Sequence, residues 1–228
     1  MERKDKGGRM RKSWDGKEVM MIEEEVVKGF GRTGHNIGIE HFGVVPDIMA
    51  TGKGLSSGYT PIAATVVRDE VYDAIYQKQS SFVHGHTYGG NPLSCAVALA
   101  VQDYIEVHHL VENCRRMGER MLEGLKPLED NPIVGAVRGK GLLTGVEFVA
   151  DKQTRAPFAV ERGVTAAVVD RVMARKVLIM PGAPGLVGGV AGDHIAISPP
   201  FTVNEEQVDE TVRVVREAVE ETAKALGY

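Results

Sequence analysis

The sequence predicts an α/β domain followed by a smaller α+β unit, and three observations support this prediction. Short apolar runs alternate with helical patterns in the first half, as in a sheet covered by helices. After Pro127, two further runs are separated by Gly139-Lys140-Gly141, which is a hairpin signal. A long amphipathic helix follows near the C-terminus. We therefore expect one domain over residues 1–126 and a second over residues 127–228.

Three strands and two helical regions are expected in the first half. The strands are predicted by apolar runs at residues 19–22, just before Gly52 and at residues 62–67. Asp69 is expected to cap a helix over residues 69–76. Asn91 and Pro92 predict a second helix start, because Asn is a favoured N-cap and Pro fits the first turn. This helix is expected to continue, with an interruption, as far as residue 125.

The second half contains the predicted hairpin and a long final helix. Apolar patterns predict four strands, at residues 133–138, 142–149, 177–180 and 194–198. A helix is expected over residues 160–174 and a glycine-rich loop over residues 182–192. The final helix is expected to begin near Thr202 or Asn204, and Thr202 and Glu205 have the spacing of a capping box. Its buried face is predicted from Val208, Val212, Val215, Val219 and Ala223.

The composition predicts a cytoplasmic protein that binds neither nucleic acid nor a membrane. The 228 residues carry a net charge of −4, and acidic and basic residues are interspersed. Residues 1–12 lack the apolar core of a secretory signal, and the apolar run at residues 95–101 is too short to cross a bilayer. Cys95 and Cys114 fit small buried thiols in a reducing compartment better than a disulfide framework.

Lys53 is the most informative residue, because it lies between Gly52 and Gly54 directly after a predicted buried strand. Desolvation favours the neutral form of an amine, which is a nucleophile toward aldehydes. The flanking glycines would let a ligand approach the backbone closely. The alternative is a solvated lysine in a surface loop, since lysine is rarely buried.

Three motifs with a fixed order surround this lysine. They are Glu24-Glu25-Val26-Val27-Lys28-Gly29-Phe30-Gly31-Arg32-Thr33-Gly34, Pro46-Asp47-Ile48-Met49-Ala50-Thr51-Gly52-Lys53-Gly54 and His84-Gly85-His86-Thr87-Tyr88-Gly89-Gly90-Asn91-Pro92. Together they resemble the class III pyridoxal-phosphate-dependent aminotransferases of fold type I. The resemblance runs from about residue 10 to the C-terminus. The segments around Arg155 and Gly192 are most similar to the ω-amino-acid:pyruvate branch.

The resemblance implies a fold, a cofactor and a role for four residues. The fold would be the C-terminal half of a large domain with a mixed, mostly parallel sheet, plus a small α+β domain. Lys53 would form a Schiff base with pyridoxal 5'-phosphate and shuttle the substrate proton. Glu24 would face the pyridine nitrogen, and Val26 would pack on the ring. Thr87 would contact the phosphate of the cofactor bound by a neighbouring subunit, which implies a homodimer.

The implied reaction is the transfer of an amino group from an amine or ω-amino acid to a keto acid such as pyruvate. Members that act on α-carboxylate substrates often place an arginine just before or within the strand at residues 194–198, whereas no arginine lies between Arg175 and Arg213 here. Glu24 and Lys28 stand where the family commonly has aspartate and threonine. Family members are about twice as long, so the resemblance implies an N-terminally truncated chain.

Two other functions are compatible with parts of the sequence. The chain could be a non-catalytic, aminotransferase-derived fragment or a subunit that needs a partner, because no segment matches the family's phosphate-binding loop. The spacing Gly29-x-Gly31-x-x-Gly34 also fits an NAD(P)-dependent oxidoreductase, although the strand-to-helix context of that motif is poor. His84 and His86 could pair on a metal, but loop packing or hydrogen bonding to the cofactor region is the simpler interpretation, and we predict no metal site.

Overall fold

The chain folds into two compact units in a computed structural model that describes residues 19–77, 81–183 and 185–228. The first unit ends at Val111, and the second comprises Glu112–Tyr228. This division precedes the domain boundary expected after residue 126, which stays a proposal. The start of the family resemblance near residue 10 lies outside the described residues. The described strands and helices agree with the predicted α/β class.

The sheet of the first unit has one parallel and one antiparallel pair of strands. Its order is β1 (Ile22–Glu24), β2 (Ile48–Thr51) and β3 (Ala64–Val67). Strand β1 runs parallel to β2 with Glu24 opposite Ala50, and β3 runs antiparallel to β2. The first strand therefore begins where the predicted run at residues 19–22 ends. This shift places Glu24 at the carboxyl end of β1.

Asp47 joins all three strands at the opposite end of this sheet. Its Oδ2 accepts a hydrogen bond from the Met21 N–H at 2.8 Å, and its Oδ1 accepts one from Arg68 Nη1 at 3.0 Å. Its backbone carbonyl also accepts the Arg68 N–H at 3.0 Å. Because Met21 precedes β1 and Arg68 follows β3, one buried carboxylate fixes how the strands are aligned.

The helices of the first unit begin close to the predicted positions. Helix α1 (Asp69–Tyr76) has Arg68 at its N-cap, so the predicted cap at Asp69 is wrong. Asp69 instead lies in the first turn, where its negative charge interacts favourably with the helix dipole. Helix α2 (Pro92–Val107) begins as predicted, with Asn91 Oδ1 accepting the Ser94 N–H at 3.1 Å.

The predicted interruption of the long helical region is also present. Helix α2 ends at Val107, and His109 adopts a left-handed conformation with a φ of 51° before helix α3 (Leu110–Leu125) begins. A non-glycine residue in this conformation cannot continue an α-helix. The region is therefore two helices separated by one turn.

The second unit is an antiparallel sheet with helices on one face. Strands β4 (Val134–Lys140) and β5 (Leu143–Phe148) form the predicted hairpin, and the sheet order is β4-β5-β7-β6. The other strands are β6 (Met180–Pro181) and β7 (His194–Ile197), and helix α4 (Val164–Ala174) connects β5 to β6. Thr144, Val146 and Phe148 are buried, whereas the alternate residues Gly145 and Glu147 lie on the open face of the sheet.

Two predicted elements of this unit are shorter than expected. The strand expected at residues 177–180 is reduced to β6, because Lys176 adopts a φ of 63° and the Val177 N–H still bonds the helical carbonyl of Val172 at 3.3 Å. The helix expected from residue 160 begins with a 3₁₀ turn, Val160–Arg162, and Gly163 separates it from α4.

The last helix, α5 (Glu205–Leu226), has its N-cap at Asn204, which is one of the two predicted start positions and lies two residues after Thr202. Asn204 and Gln207 form a reciprocal capping box, so the predicted pair Thr202 and Glu205 is wrong. With Asn204 as the cap, the buried Val203 and Val208 take the positions of a hydrophobic staple. Burial of these two valines selects between the two possible caps. Across the described residues, no helix combines the length and apolarity needed to cross a membrane.

Glu129 ties the 3₁₀ turn Lys126–Asp130 to β4 and contributes a pH-dependent stability. Its Oε1 accepts hydrogen bonds from Lys126 Nζ at 2.8 Å and from the Val137 N–H at 2.9 Å. These two donors hold the pKa of Glu129 below its usual range. The carboxylate therefore stabilises the fold above its unfolded-state pKa, and this contribution is lost as the pH falls through the folded-state pKa.

We expect Glu129→Gln to lower the free energy of unfolding at pH 7 by roughly 0.5–1 kcal/mol, since the side chain is partly solvated. Urea unfolding of both proteins at pH 7 and pH 3 measures this difference. The difference in free energy of unfolding between the two proteins should be smaller at pH 3 than at pH 7. A difference that is equal at both pH values would show that the charge of Glu129 is not involved.

Candidate active site

Lys53 lies in a tight turn immediately after β2. It begins the 3₁₀ turn Lys53–Leu55 and has a left-handed φ of 40°. The Leu55 N–H bonds the Gly52 carbonyl at 3.0 Å, and the Ser56 N–H bonds the Lys53 carbonyl at 3.2 Å. The Lys53 side chain is exposed, in contrast to the desolvated position expected from the sequence. The backbone is thus fixed while the amine is accessible.

Helix α2 holds this turn in place from one side. Gln102 Nε2 donates to the carbonyl oxygens of Gly54 at 3.3 Å and Leu55 at 3.0 Å. Farther along the chain, the hydroxyls of Thr60 and Ser94 lie 2.8 Å apart. Sequence reasoning missed Gln102, although a single amide in an otherwise apolar helical stretch is a usable signal. These bonds make the turn at Lys53 part of the packed first unit.

Three consecutive glutamates at the end of β1 have three different environments. Glu25 is fully buried and accepts the N–H groups of Gly38 at 2.9 Å and Ile39 at 2.8 Å. Lys28 Nζ pairs with Glu23 and lies 3.8 Å from Glu25 Oε1. Glu24 is exposed, and its Oε1 accepts the Val26 N–H at 2.5 Å. Of these three carboxylates in the described structure, only Glu24 forms no ion pair with a lysine or arginine.

The parallel pairing of β1 and β2 brings three predicted site residues to one edge of the sheet. Glu24 is opposite Ala50, and the Glu25 N–H continues the pairing to the Ala50 carbonyl at 2.8 Å. A β-carbon added at Gly52 would lie 3.6 Å from Val26 Cγ1. Glu24 ends β1, Val26 follows β1 and Lys53 follows β2, so all three lie at the carboxyl ends of neighbouring strands, where ligands bind in open α/β sheets.

The other predicted site features precede helix α2. Thr87 is exposed in a turn that precedes α2, and no described contact joins it to Lys53. The rings of His84 and His86 are 5.0 Å apart in an edge-to-face arrangement. No group of three or more potential metal-ligating side chains occurs within the described ranges.

The glycines of the dinucleotide-binding alternative occupy a different context from the one that motif requires. Gly31 and Gly34 have φ values of 109° and 81° in a series of turns, and no α-helix begins there. The dinucleotide fingerprint instead places its glycines at the N-terminus of a helix that binds the pyrophosphate. The local structure therefore does not support an oxidoreductase.

Comparison with known proteins identifies the family to which this fold belongs. Residues 8–219 match the family described as aminotransferase class-III. The chain belongs to the class III aminotransferases.

Relatives from distant organisms share this family. An uncharacterized aminotransferase, YodT, of Bacillus subtilis is 38% identical over 210 residues, which cover 92% of this chain and 47% of that protein. A chloroplastic γ-aminobutyrate transaminase of Solanum lycopersicum is 39% identical over 208 residues, which cover 90% of this chain and 38% of that protein. The chain thus spans about half of these relatives or less.

A solved structure with the same fold is also about twice as long as this chain. The crystal structure of a transaminase from the marine bacterium Virgibacillus superposes with a TM-score of 0.90 at 35% sequence identity. The alignment covers 98% of this chain and 50% of that one. The expected class III aminotransferase fold is therefore confirmed, and class III aminotransferases depend on pyridoxal phosphate.

Proposed function

We propose that this chain carries the cofactor-anchoring lysine of an aminotransferase that moves an amino group from an amine or ω-amino acid to a keto acid such as pyruvate. The proposal rests on one observation: Glu24, Val26 and Lys53 lie together at the carboxyl ends of two neighbouring parallel strands. An accessible primary amine, a carboxylate with no cation partner among the described residues and an aliphatic side chain fit the aldehyde, ring nitrogen and ring face of pyridoxal phosphate. When bound, this cofactor withdraws electrons from the substrate carbon that bears the amino group.

In this proposal Lys53 has two functions. Its Nζ would hold the cofactor through the cofactor's aldehyde, and as a free amine it would remove and return the proton of the substrate carbon. The exposed side chain supports access to the aldehyde. The bonds from Gln102 to the following carbonyls support a fixed position for the lysine backbone.

Glu24 would hold a proton on the ring nitrogen, as the aspartate at this position does in the family pattern. The additional methylene of glutamate lengthens the side chain by one carbon. The bond from the Val26 N–H to Glu24 Oε1 folds the carboxylate back toward the strand end, which offsets that extra length. The second oxygen would then be available to the cofactor, and Val26 would pack against the ring.

The reaction exchanges two functional groups. The amino donor becomes an aldehyde, ketone or oxo acid, and the keto acid becomes an amino acid. The similarity to a γ-aminobutyrate transaminase supports an ω-amino acid as the donor. The lack of arginine between Arg175 and Arg213 supports the same branch.

We further propose a cytoplasmic homodimer in which Thr87 contacts the cofactor phosphate of the neighbouring subunit. Thr87 is exposed, as this role requires. On α2, Leu93, Leu99 and Val107 are 71%, 67% and 70% exposed, and exposed apolar residues of this kind are typical of an interface. Cys114 is buried as expected, whereas Cys95 is exposed, so the expectation of a buried thiol is wrong for Cys95. Both are free thiols, which supports a reducing compartment.

Borohydride reduction after addition of pyridoxal phosphate tests the assignment of Lys53. We expect mass spectrometry to locate the reduced label on Lys53 and to find none in Lys53→Ala. Lys176 is a matched control, because it is also an exposed lysine at positive φ but lies in the second unit. Equal labelling of Lys53 and Lys176 would show that the label reflects the general reactivity of exposed lysines, and it would contradict the proposal.

Amino transfer to pyruvate then separates an enzyme from a non-catalytic fragment. We expect pyruvate-dependent consumption of an ω-amino acid to require the cofactor and to be lost with Lys53→Ala. A chain that takes up the label at Lys53 but transfers no amine, even together with the N-terminal half of a relative, would support the non-catalytic alternative.

A further inference from the structure

The second unit contains a cavity of about 160 Å³ on the open face of its sheet. Its floor is formed by the small residues Gly145 and Ala196, which are opposite each other on β5 and β7. Leu186, Val187 and Pro157 supply apolar walls. The opposite face of the sheet is the helix-covered core, so the cavity lies outside the packed interior. It can therefore admit a small molecule with an apolar portion.

Both carboxylates that line this cavity are already engaged. Glu147 Oε2 lies 3.0 Å from Arg138 Nη2 across the β4–β5 pair. Asp193 Oδ1 accepts the N–H of Thr165 at 2.9 Å and its hydroxyl at 2.7 Å. These contacts neutralise Glu147 and direct Asp193 Oδ1 toward the first turn of α4. Neither carboxylate is therefore a free partner for a cation in the cavity.

Arg155 is the cationic lining residue that lacks a partner among the residues the structure describes. Its backbone is held in a left-handed conformation with a φ of 58°. The turn is fixed because Asp151 Oδ1 accepts the N–H groups of Gln153 and Thr154, both at 2.8 Å. Glycine is the residue that adopts this conformation without strain. An arginine at this position therefore has a strained backbone conformation that glycine would adopt without strain.

His194 adds a second unengaged polar group to the cavity. Its Nδ1 lies 3.2 Å from the Gly192 carbonyl, which assigns Nδ1 as the hydrogen-bond donor and leaves Nε2 with no hydrogen-bond partner in the described ranges. Its ring packs closely on Gly182, where an added β-carbon would lie only 2.3 Å from Cε1. The imidazole is therefore fixed in orientation at the edge of the cavity.

We propose that this cavity binds the carboxylate of a short aliphatic acid. The guanidinium of Arg155 is the anion partner, since its planar fork matches a carboxylate. The alkyl chain lies against Leu186 and Val187, and Gly145 and Ala196 leave room for it. The site supplies a cation beside β7 from another loop, although β7 itself carries no arginine. The proposal goes beyond amino transfer, because no part of it depends on Lys53.

Nuclear magnetic resonance titration of the full chain with butanoate tests this site, with uncharged butanamide as the matched ligand. We expect butanoate to shift the amide signals of Gly145, Glu147 and Ala196, and butanamide to bind at least tenfold more weakly. Arg155→Gly removes the guanidinium while it favours the observed backbone conformation, so the variant should remain as stable as the parent. Its affinity for butanoate should fall at least tenfold.

Arg116→Ala is the control for general charge effects, because Arg116 is exposed on α3 away from the cavity lining. This variant should bind butanoate like the parent. The proposal is overturned if Arg155→Gly binds butanoate with unchanged affinity, or if butanamide binds equally well. Shifts confined to residues outside the cavity would also overturn it. Because neither ligand carries an aldehyde or ketone, the result is independent of labelling at Lys53.

Discussion

Replacement of Glu25 by alanine is expected to destabilise the first unit by about 2–4 kcal/mol. The carboxylate is fully buried and satisfies the N–H groups of both Gly38 and Ile39. Alanine would leave these two donors without an acceptor, and each unsatisfied buried donor costs about 1–3 kcal/mol. Relief of the desolvation of the charge offsets part of this cost. Urea unfolding and amide hydrogen exchange at residues 38 and 39 measure the effect.

Two further variants, one at Glu25 and one at the adjacent Glu24, test this prediction more closely. Glu25→Gln keeps one acceptor oxygen but directs an amide group at the second donor, so its stability should lie between those of the parent and Glu25→Ala. Glu24→Ala is the exposed control and should change stability by less than about 1 kcal/mol. Unchanged hydrogen exchange at Gly38 and Ile39 in Glu25→Ala would refute the proposed role of the buried carboxylate.

These adjacent glutamates illustrate how far the sequence alone could lead. The motif identified Glu24 as a site residue, but three identical residues in a row carry no signal for which one is buried. Burial of Glu25 depends on the segment at Gly38 and Ile39, which returns to the strand end only in the folded chain. Long-range partners of this kind cannot be obtained from local patterns.

Local chemistry decided the features that were predicted correctly. Asn91 and Pro92 start a helix because the cap and the restricted φ act within one turn. For the last helix, Asn204 was one of the two predicted start positions, but the capping box was wrongly assigned to Thr202 and Glu205. Both Thr202 and Asn204 are good caps, and burial of Val203 and Val208 favours Asn204. Lys53 was placed correctly after a strand, but its exposure depends on what covers the sheet edge. Tertiary context therefore limits such predictions more than local propensity does.

Replacement of Gly118 by alanine is expected to destabilise the second unit by about 3 kcal/mol or more. Helix propensity alone predicts the opposite sign, since alanine in a helix interior is favoured over glycine by about 0.5–1 kcal/mol. However, a β-carbon at Gly118 would lie 2.2 Å from the carbonyl carbon and oxygen of Gly141. These are backbone atoms of the β4–β5 turn, so no rotamer change can relieve the overlap.

The helix and the hairpin would have to separate, and the buried side chains between them would lose contact. Met117 and Leu142, next to the two glycines, are 3% and 0% exposed, so the separation would disrupt the core of the unit. Gly124→Ala on the same helix is the matched comparison, because its β-carbon would lie 2.8 Å from Val212 Cγ1, which belongs to a side chain. Urea unfolding should rank the parent above Gly124→Ala and Gly124→Ala above Gly118→Ala. A Gly118→Ala protein as stable as the parent would mean that helix propensity outweighs this backbone contact.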